Sequence, residues 1–228
     1  METRIDRETG QERREGMRRA AALGAVAAVA AAGFGALAAA VARRDTARAD
    51  EAVRRRTAPP KDHPARRAAE AAAPVGKWWT YVPGALAASA YLLTADRTRD
   101  ARERGARIRA SGAVLLAGTV ATALNPAFDH WLPQPPPPPG HRSRHKPVFP
   151  SGHAFGPGAV SLATAYVLAR QGLARPAAAF PVALAIPLAT AGGRVLQEKH
   201  WASDVLGGYL GGIAVAAACL AAYEAAGA

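Results

Sequence analysis

The stretch "VLGGYLGGIAVAAACLAAY", residues 205–223, holds no Asp, Glu, Lys, Arg or His. As a helix rising 1.5 Å per residue it is about 28 Å long, close to the roughly 30 Å hydrocarbon thickness of a bilayer. A helix on the surface of a soluble protein carries charge along its outer face. A run uncharged on every side therefore reads as a membrane span. Gly207, Gly208, Gly211 and Gly212 form two overlapping small-xxx-small pairs. That pattern lets helices approach closely in lipid, so the glycines are assigned to structure.

Outward from this stretch, runs 20–42, 78–95, 110–128, 147–169 and 176–193 also lack Asp, Glu, Lys and Arg. Six such runs predict an all-α, polytopic membrane bundle of about six transmembrane helices. The whole-chain averages conceal it. Net charge is +12 and mean hydropathy −0.03, but the charges are segregated from the apolar residues. The cations sit in membrane-flanking connectors, with no aromatic stacking platform or reader motif, so nucleic acid is not an expected partner. The single Cys219 rules out an intrachain disulfide.

The connectors divide the chain. Residues 1–19 form a charged N-terminal arm, and 20–42 an Ala-rich first transmembrane helix. Ala40-Val41-Ala42 has the form of a signal-cleavage site, but the length of the run and the arm before it favour an uncleaved span. Residues 43–77 form a basic connector with ten Lys or Arg, expected to be partly disordered or to carry an interfacial helix. Trp78, Trp79 and Tyr81 follow, where aromatic side chains mark the interface. Residues 78–225 form the membrane-embedded core, with candidate catalytic loops at 129–153 and 193–204. The stretch "PQPPPPPG", 133–140, is extended and rigid. The arm and the arginine-rich connector 96–109 place both on the cytoplasmic side. The ten cations of 43–77 then lie outside, against the rule.

Two polar clusters interrupt the apolar pattern. The first is "FPSGHAF", 149–155. On its own it reads equally as a helix start, with Ser151 as cap and His153 as a first-turn passenger. The second is "GGRVLQEKHWASDVLGG", 192–208. Between them lie two apolar runs joined by "RQGLAR", 170–175, so the chain crosses and returns, and both clusters emerge on one face. His200 and Asp204, four apart at a helix start, share one side. A carboxylate on one imidazole nitrogen frees the other as nucleophile or base. Arg194 suits a phosphate-like oxyanion, and the amides around Gly152 open a helix, where an anion is favoured. The duller account makes His200 and Asp204 a cap and Arg194 a headgroup anchor. No Cys cluster, HExxH or carboxylate-rich set points to a metal, and no cofactor is expected.

This combination resembles the type 2 phosphatidic acid phosphatase superfamily, which includes lipid phosphate phosphatases and vanadium haloperoxidases. Pro150-Ser151-Gly152-His153 matches the family's second motif. Gly193-Arg194, five residues, His200, three residues, Asp204 matches the third, with Gly for the usual Ser. The resemblance implies a metal-independent phosphatase acting on a lipid phosphate or lipid pyrophosphate. In it His200 attacks phosphorus to form a phosphohistidine, Asp204 orients His200, and His153 serves as acid and then base. Arg194, Ser151 and Gly152 hold the phosphoryl oxygens. The family setting implies a bacterial plasma membrane, with the site on the extracytoplasmic face.

The first motif departs from the pattern. In the best register Asn125 stands where a Lys is expected, and Leu132-Pro133 where Arg-Pro is expected. Each change removes a cation that would balance the transition state, commonly worth about 10²–10³ in rate. Arg142, Arg144 and Lys146, just before Pro150, are candidates to replace them. Alternatively they only attract anionic headgroups. Two further readings therefore remain: an impaired member that binds lipid headgroups, and, with less support, a vanadate-dependent haloperoxidase.

Overall fold

The computed structural model describes residues 4–95, 100–141, 143 and 145–228. Its helices are α1 (Arg4–Ala42), α2 (Ala47–Thr57), α3 (Pro64–Ala72), α4 (Trp78–Thr94), α5 (Ala101–Trp131), α6 (Gly152–Arg170), α7 (Pro176–Leu196) and α8 (Ala202–Gly227), with a 3₁₀ turn at Ala73–Gly76. The long helices α1 and α4 to α8 alternate in direction. Helix α6 is the axis: α4, α5, α7 and α8 all pack on it, while α1 lies along α8.

Among the described residues, four helical segments are long and apolar enough to cross a bilayer: Gly10–Ala42, Ala101–Trp131, Pro176–Leu196 and Ala202–Gly227. The expected count of about six would need α4 and α6 as well. Helix α4 has only 17 residues. Helix α6 is walled in by protein, and its buried positions include Ala154, Gly156, Pro157, Gly158, Ala159 and Ala163. Small residues are what close helix packing requires, and they lower its hydropathy.

The glycine pairs of α8 meet α6 directly. A Cβ on Gly208 would lie 2.5 Å from the Ser151 carbonyl oxygen and 2.7 Å from Ala154 Cβ. One on Gly212 would lie 2.8 Å from the Phe155 oxygen. Backbone cannot yield as a flexible side chain can, so Gly208→Val is expected to destabilise the fold by at least about 3 kcal/mol. Gly24→Ala, with nothing within 4 Å of the new Cβ, is the control and is expected to be neutral or slightly stabilising. Thermal unfolding in detergent compares the two.

Both ends of the bundle are pinned. At the far end Glu224 of α8, nearly fully buried, accepts from Arg19 Nε of α1, Tyr166 Oη and Arg170 Nε of α6, each at 2.8 Å. At the other end Phe34 of α1 packs 5.2 Å from Phe128 and 5.9 Å from Phe149, centroid to centroid. Residues 43–77, expected to be partly disordered or interfacial, contain two helices and a 3₁₀ turn. Helix α3 and the turn pack on α7, and α2 contacts both α7 and α8. Trp78 and Trp79 are exposed, as an interfacial position requires. Tyr81 differs: it is 7% exposed, turned inward against Gly156, with its hydroxyl 3.3 Å from Thr122 Oγ1. An aromatic at the membrane edge is equally suited to filling the gap that a glycine leaves on the next helix.

Candidate active site

Four helix ends and one loop meet at the end of the bundle where α5 and α7 finish and α6 and α8 begin. The loop that leads from α5 to α6 is pinned at its two ends by Gln134. Gln134 Oε1 accepts the N–H groups of Val148 and Phe149 at 2.9 and 3.0 Å, and its Nε2 donates to the Phe149 carbonyl at 2.8 Å. This pairing aims the next residues, Pro150 to His153, into the start of α6.

Ser151 is the N-cap residue of α6, yet its side chain makes no capping bond. Its backbone N–H donates instead to the Asp204 carbonyl at 2.9 Å, joining the two sequence clusters. Gly152 opens the helix with Asn125 of α5 against it; a Cβ there would lie 2.7 Å from Asn125 Nδ2. The position expected to carry a Lys thus does reach the anion-favouring helix start, as a neutral amide. Leu132, at the place expected for an Arg, ends α5, its N–H bonding the Phe128 carbonyl. His153 is held by its backbone, whose carbonyl accepts Thr190 Oγ1 of α7 at 3.0 Å. Gly76 lies against its ring, and a Cβ there would come within 2.6 Å of His153 Cδ2.

Arg194 lies in the last turn of α7 and donates from Nη1 to Gln197 Oε1 at 2.7 Å. His200 follows in the turn between α7 and α8. Its ring centroid is 6.1 Å from that of His153, and its Nδ1 is 3.5 Å from Asp204 Oδ2. That separation exceeds a good hydrogen bond, and such contacts commonly tighten only when substrate is bound. The Asp204 carboxylate is itself fixed by the Trp201 N–H at 2.7 Å. Burial, and then the Arg194 charge, push His200 down to about 3, while a hydrogen bond with the Val148 backbone acts the other way. The ring is therefore neutral above that pH, the form in which an imidazole nitrogen attacks.

Ser151 Oγ, His153 Nε2, Arg194 Nε, Gln197 Nε2, His200 Nδ1 and Asp204 Oδ1 are all buried without a hydrogen-bond partner. Leaving such groups unpaired costs about 1–3 kcal/mol each. Their concentration where α6 and α8 begin and α7 ends fits a polar guest that would satisfy them together. Five of these six residues are the ones singled out in the sequence; Gln197 is the addition, hidden in the variable stretch between Arg194 and His200. Of the loop cations, Lys146 is exposed and its charge reaches His200. Arg142 and Arg144 lie outside the described residues.

A sequence model of the PAP2 superfamily matches residues 108–228. Among solved structures, the chain is similar to a transmembrane PAP2-type phosphatidylglycerolphosphate phosphatase from Bacillus subtilis. The TM-score is 0.68 at 22% identity, covering 83% of this chain and 92% of that one. No curated protein matches the chain.

Proposed function

This chain belongs to the PAP2 superfamily, and from that premise we propose that it hydrolyses a lipid phosphate or lipid pyrophosphate at the membrane surface, without metal. One observation carries the reading: His153 at the start of α6, Arg194 at the end of α7 and His200 in the turn before α8 each bury one polar atom without a partner, with the two imidazole rings 6.1 Å apart. A phosphoryl group offers partners to all three. Arg194, Ser151 and the amides at the start of α6 take its oxygens, where the helix N-terminus favours negative charge.

In the first step a neutral His200 nitrogen attacks phosphorus. The N–P bond forms as the bond to the lipid oxygen breaks, and His153, protonated once the anionic phosphate lies beside it, donates its proton to that oxygen. Asp204 stabilises the positive charge that develops on the His200 ring. In the second step His153 accepts a proton from water, whose oxygen attacks phosphorus and breaks the N–P bond. The products are lipid alcohol, or lipid monophosphate from a pyrophosphate, and inorganic phosphate.

The lipid assignment is supported by a groove of about 510 Å³ between α4, α6 and α7. It begins beside the site at Val75 and Tyr81 and follows α6 past Pro157 and Val160 to Leu168. At 1.5 Å per residue that stretch of α6 alone is about 16 Å long, suited to a hydrocarbon chain lying along it. We also assign the site to the extracytoplasmic face, with α1 and α4 to α8 as six spans. Among the ten cations in 43–77, Arg43 is held in an ion pair with Asp45, and Arg54 and Arg66 with Glu198 of the α7–α8 turn.

A second reading, a headgroup-binding member without turnover, is favoured by one observation: the first-motif positions are a neutral Asn125 and an apolar Leu132. Phosphate release from phosphatidic acid, phosphatidylglycerolphosphate and a polyprenyl pyrophosphate in detergent separates the two. Release is expected to persist in EDTA and to be blocked by orthovanadate, which mimics pentavalent phosphorus. Orthovanadate binding with no release from any of the three would favour the headgroup reading.

A further inference from the structure

The turn that carries His200 is gripped at both ends by one short helix lying far away in sequence. On α2, Asp50 and Arg54 are one helical turn apart and so share a face. Asp50 is 6% exposed; its Oδ1 accepts the Ser203 N–H at 2.9 Å and its Oδ2 accepts Ser203 Oγ at 2.7 Å. Ser203 is the second residue of α8, and its N–H is among those a helix leaves unpaired at its start. The residue in the N-cap position is Trp201, which has no oxygen in its side chain to supply. Asp50 therefore caps α8 from another helix, one residue before the Asp204 that faces His200.

At the other end of the turn, Arg54 Nη1 donates to Glu198 Oε1 at 2.7 Å, and a second pair of bonds to Glu51 holds the guanidinium in place. Glu198 has φ +55°, the left-handed region that a glycine adopts freely and a glutamate does not. It occupies the position where a helix commonly ends in a left-handed residue. Its N–H bonds the Val195 carbonyl at 2.9 Å, and the Lys199 and His200 N–H groups bond the Arg194 carbonyl at 2.9 and 3.3 Å. The backbone that presents His200 is thus tied to the residue that presents the Arg194 guanidinium. Arg66 of α3 adds a bond to the Gln197 carbonyl at 3.0 Å. The proline segment adds another, its Pro136 carbonyl accepting Trp201 Nε1 at 2.8 Å.

We infer that α2 is a splint for the nucleophile turn, with Asp50 and Arg54 as positioning residues that fix His200 and Asp204 relative to Arg194. The two side chains hold residues 198 and 203, and these six residues include all of the turn except Gln197. Displacing a reacting group by about 1 Å costs on the order of 10²-fold in rate, so loss of either hold should appear in turnover before it appears in substrate affinity. The inference rests on the phosphatase reading for the chemistry, but the splint can be measured without it.

The test uses the full chain in detergent, comparing wild type with Asp50→Ala, Asp50→Asn and Arg54→Ala. Three readouts are taken: kcat and KM for phosphate release, orthovanadate affinity by calorimetry, and thermal unfolding. Asp50→Ala and Arg54→Ala are expected to lower kcat about 10- to 100-fold, shift KM by less than about threefold, and weaken orthovanadate. Asp50→Asn, which keeps an acceptor for Ser203, is expected to recover much of the loss. Unchanged kcat and orthovanadate affinity in both alanine variants, whatever their thermal stability, would overturn the splint. So would an Asp50→Asn that loses as much as Asp50→Ala. If Asp50→Ala does not fold, Asp50→Asn and Arg54→Ala decide alone. If the wild type binds orthovanadate but releases no phosphate, weaker binding in the variants upholds the splint while the phosphatase reading falls.

Discussion

Replacing His200 with Ala is expected to abolish phosphate release, by at least about 10³-fold in kcat, because the covalent intermediate forms on its ring. The same change is expected to cost little stability. His200 Nδ1 is buried without a partner and the ring is almost fully enclosed. Removing an unpaired buried polar group relieves its desolvation penalty, which offsets part of the lost packing. Activity and stability thus move apart, and that separation is what distinguishes a nucleophile from a packing residue. A parallel fall in thermal stability and turnover would assign His200 to the fold; undiminished release would remove it from the mechanism.

Arg194→Ala is expected to have the next largest effect, a loss of about 10²–10³ in kcat, the usual size for one electrostatic stabiliser aimed at a developing charge. This chain should feel the loss fully. Its first-motif positions are Asn125 and Leu132, so Arg194 is the guanidinium that the described residues place within the cluster of unpaired atoms. Arg194→Lys is expected to recover little. Lysine cannot keep both the bond to Gln197 Oε1 and a forked contact with phosphate oxygens. Steady-state kinetics with the best lipid phosphate separates kcat from KM. A variant with raised KM and normal kcat would make Arg194 a ground-state binding group instead.

The meeting of His153, Arg194 and His200 could be read before any coordinates, because a membrane chain that crosses and returns has little freedom. Once the runs 147–169 and 176–193 are spans, the clusters at their outer ends must share a face, and the spacing of His200 to Asp204 sets their common side. The glycine pairs of α8 were readable for a similar reason, since their spacing matters only where another helix comes close. What escaped was chiefly what comes from 43–77. Asp50 bonds Ser203 across 153 residues, and nothing in "ARADEAVRRRT", 47–57, distinguishes a splint from an interfacial helix. Gln197 and Gln134 were invisible because an amide carries no charge to disturb the apolar pattern. Helix α6 shows the limit of hydropathy: the helix most enclosed by the bundle is among those that look least like a span, because its neighbours are protein and not lipid.

Trapping the intermediate tests the central claim most directly. The purified protein would be mixed with a lipid phosphate carrying radiolabelled phosphorus, quenched in alkali within milliseconds, and its labelled residue mapped by mass spectrometry. The account predicts label on His200 that survives base and is lost in acid, absent from His200→Ala and from protein preincubated with orthovanadate. Rapid product formation with no label on His200, or with label on another residue, would contradict it.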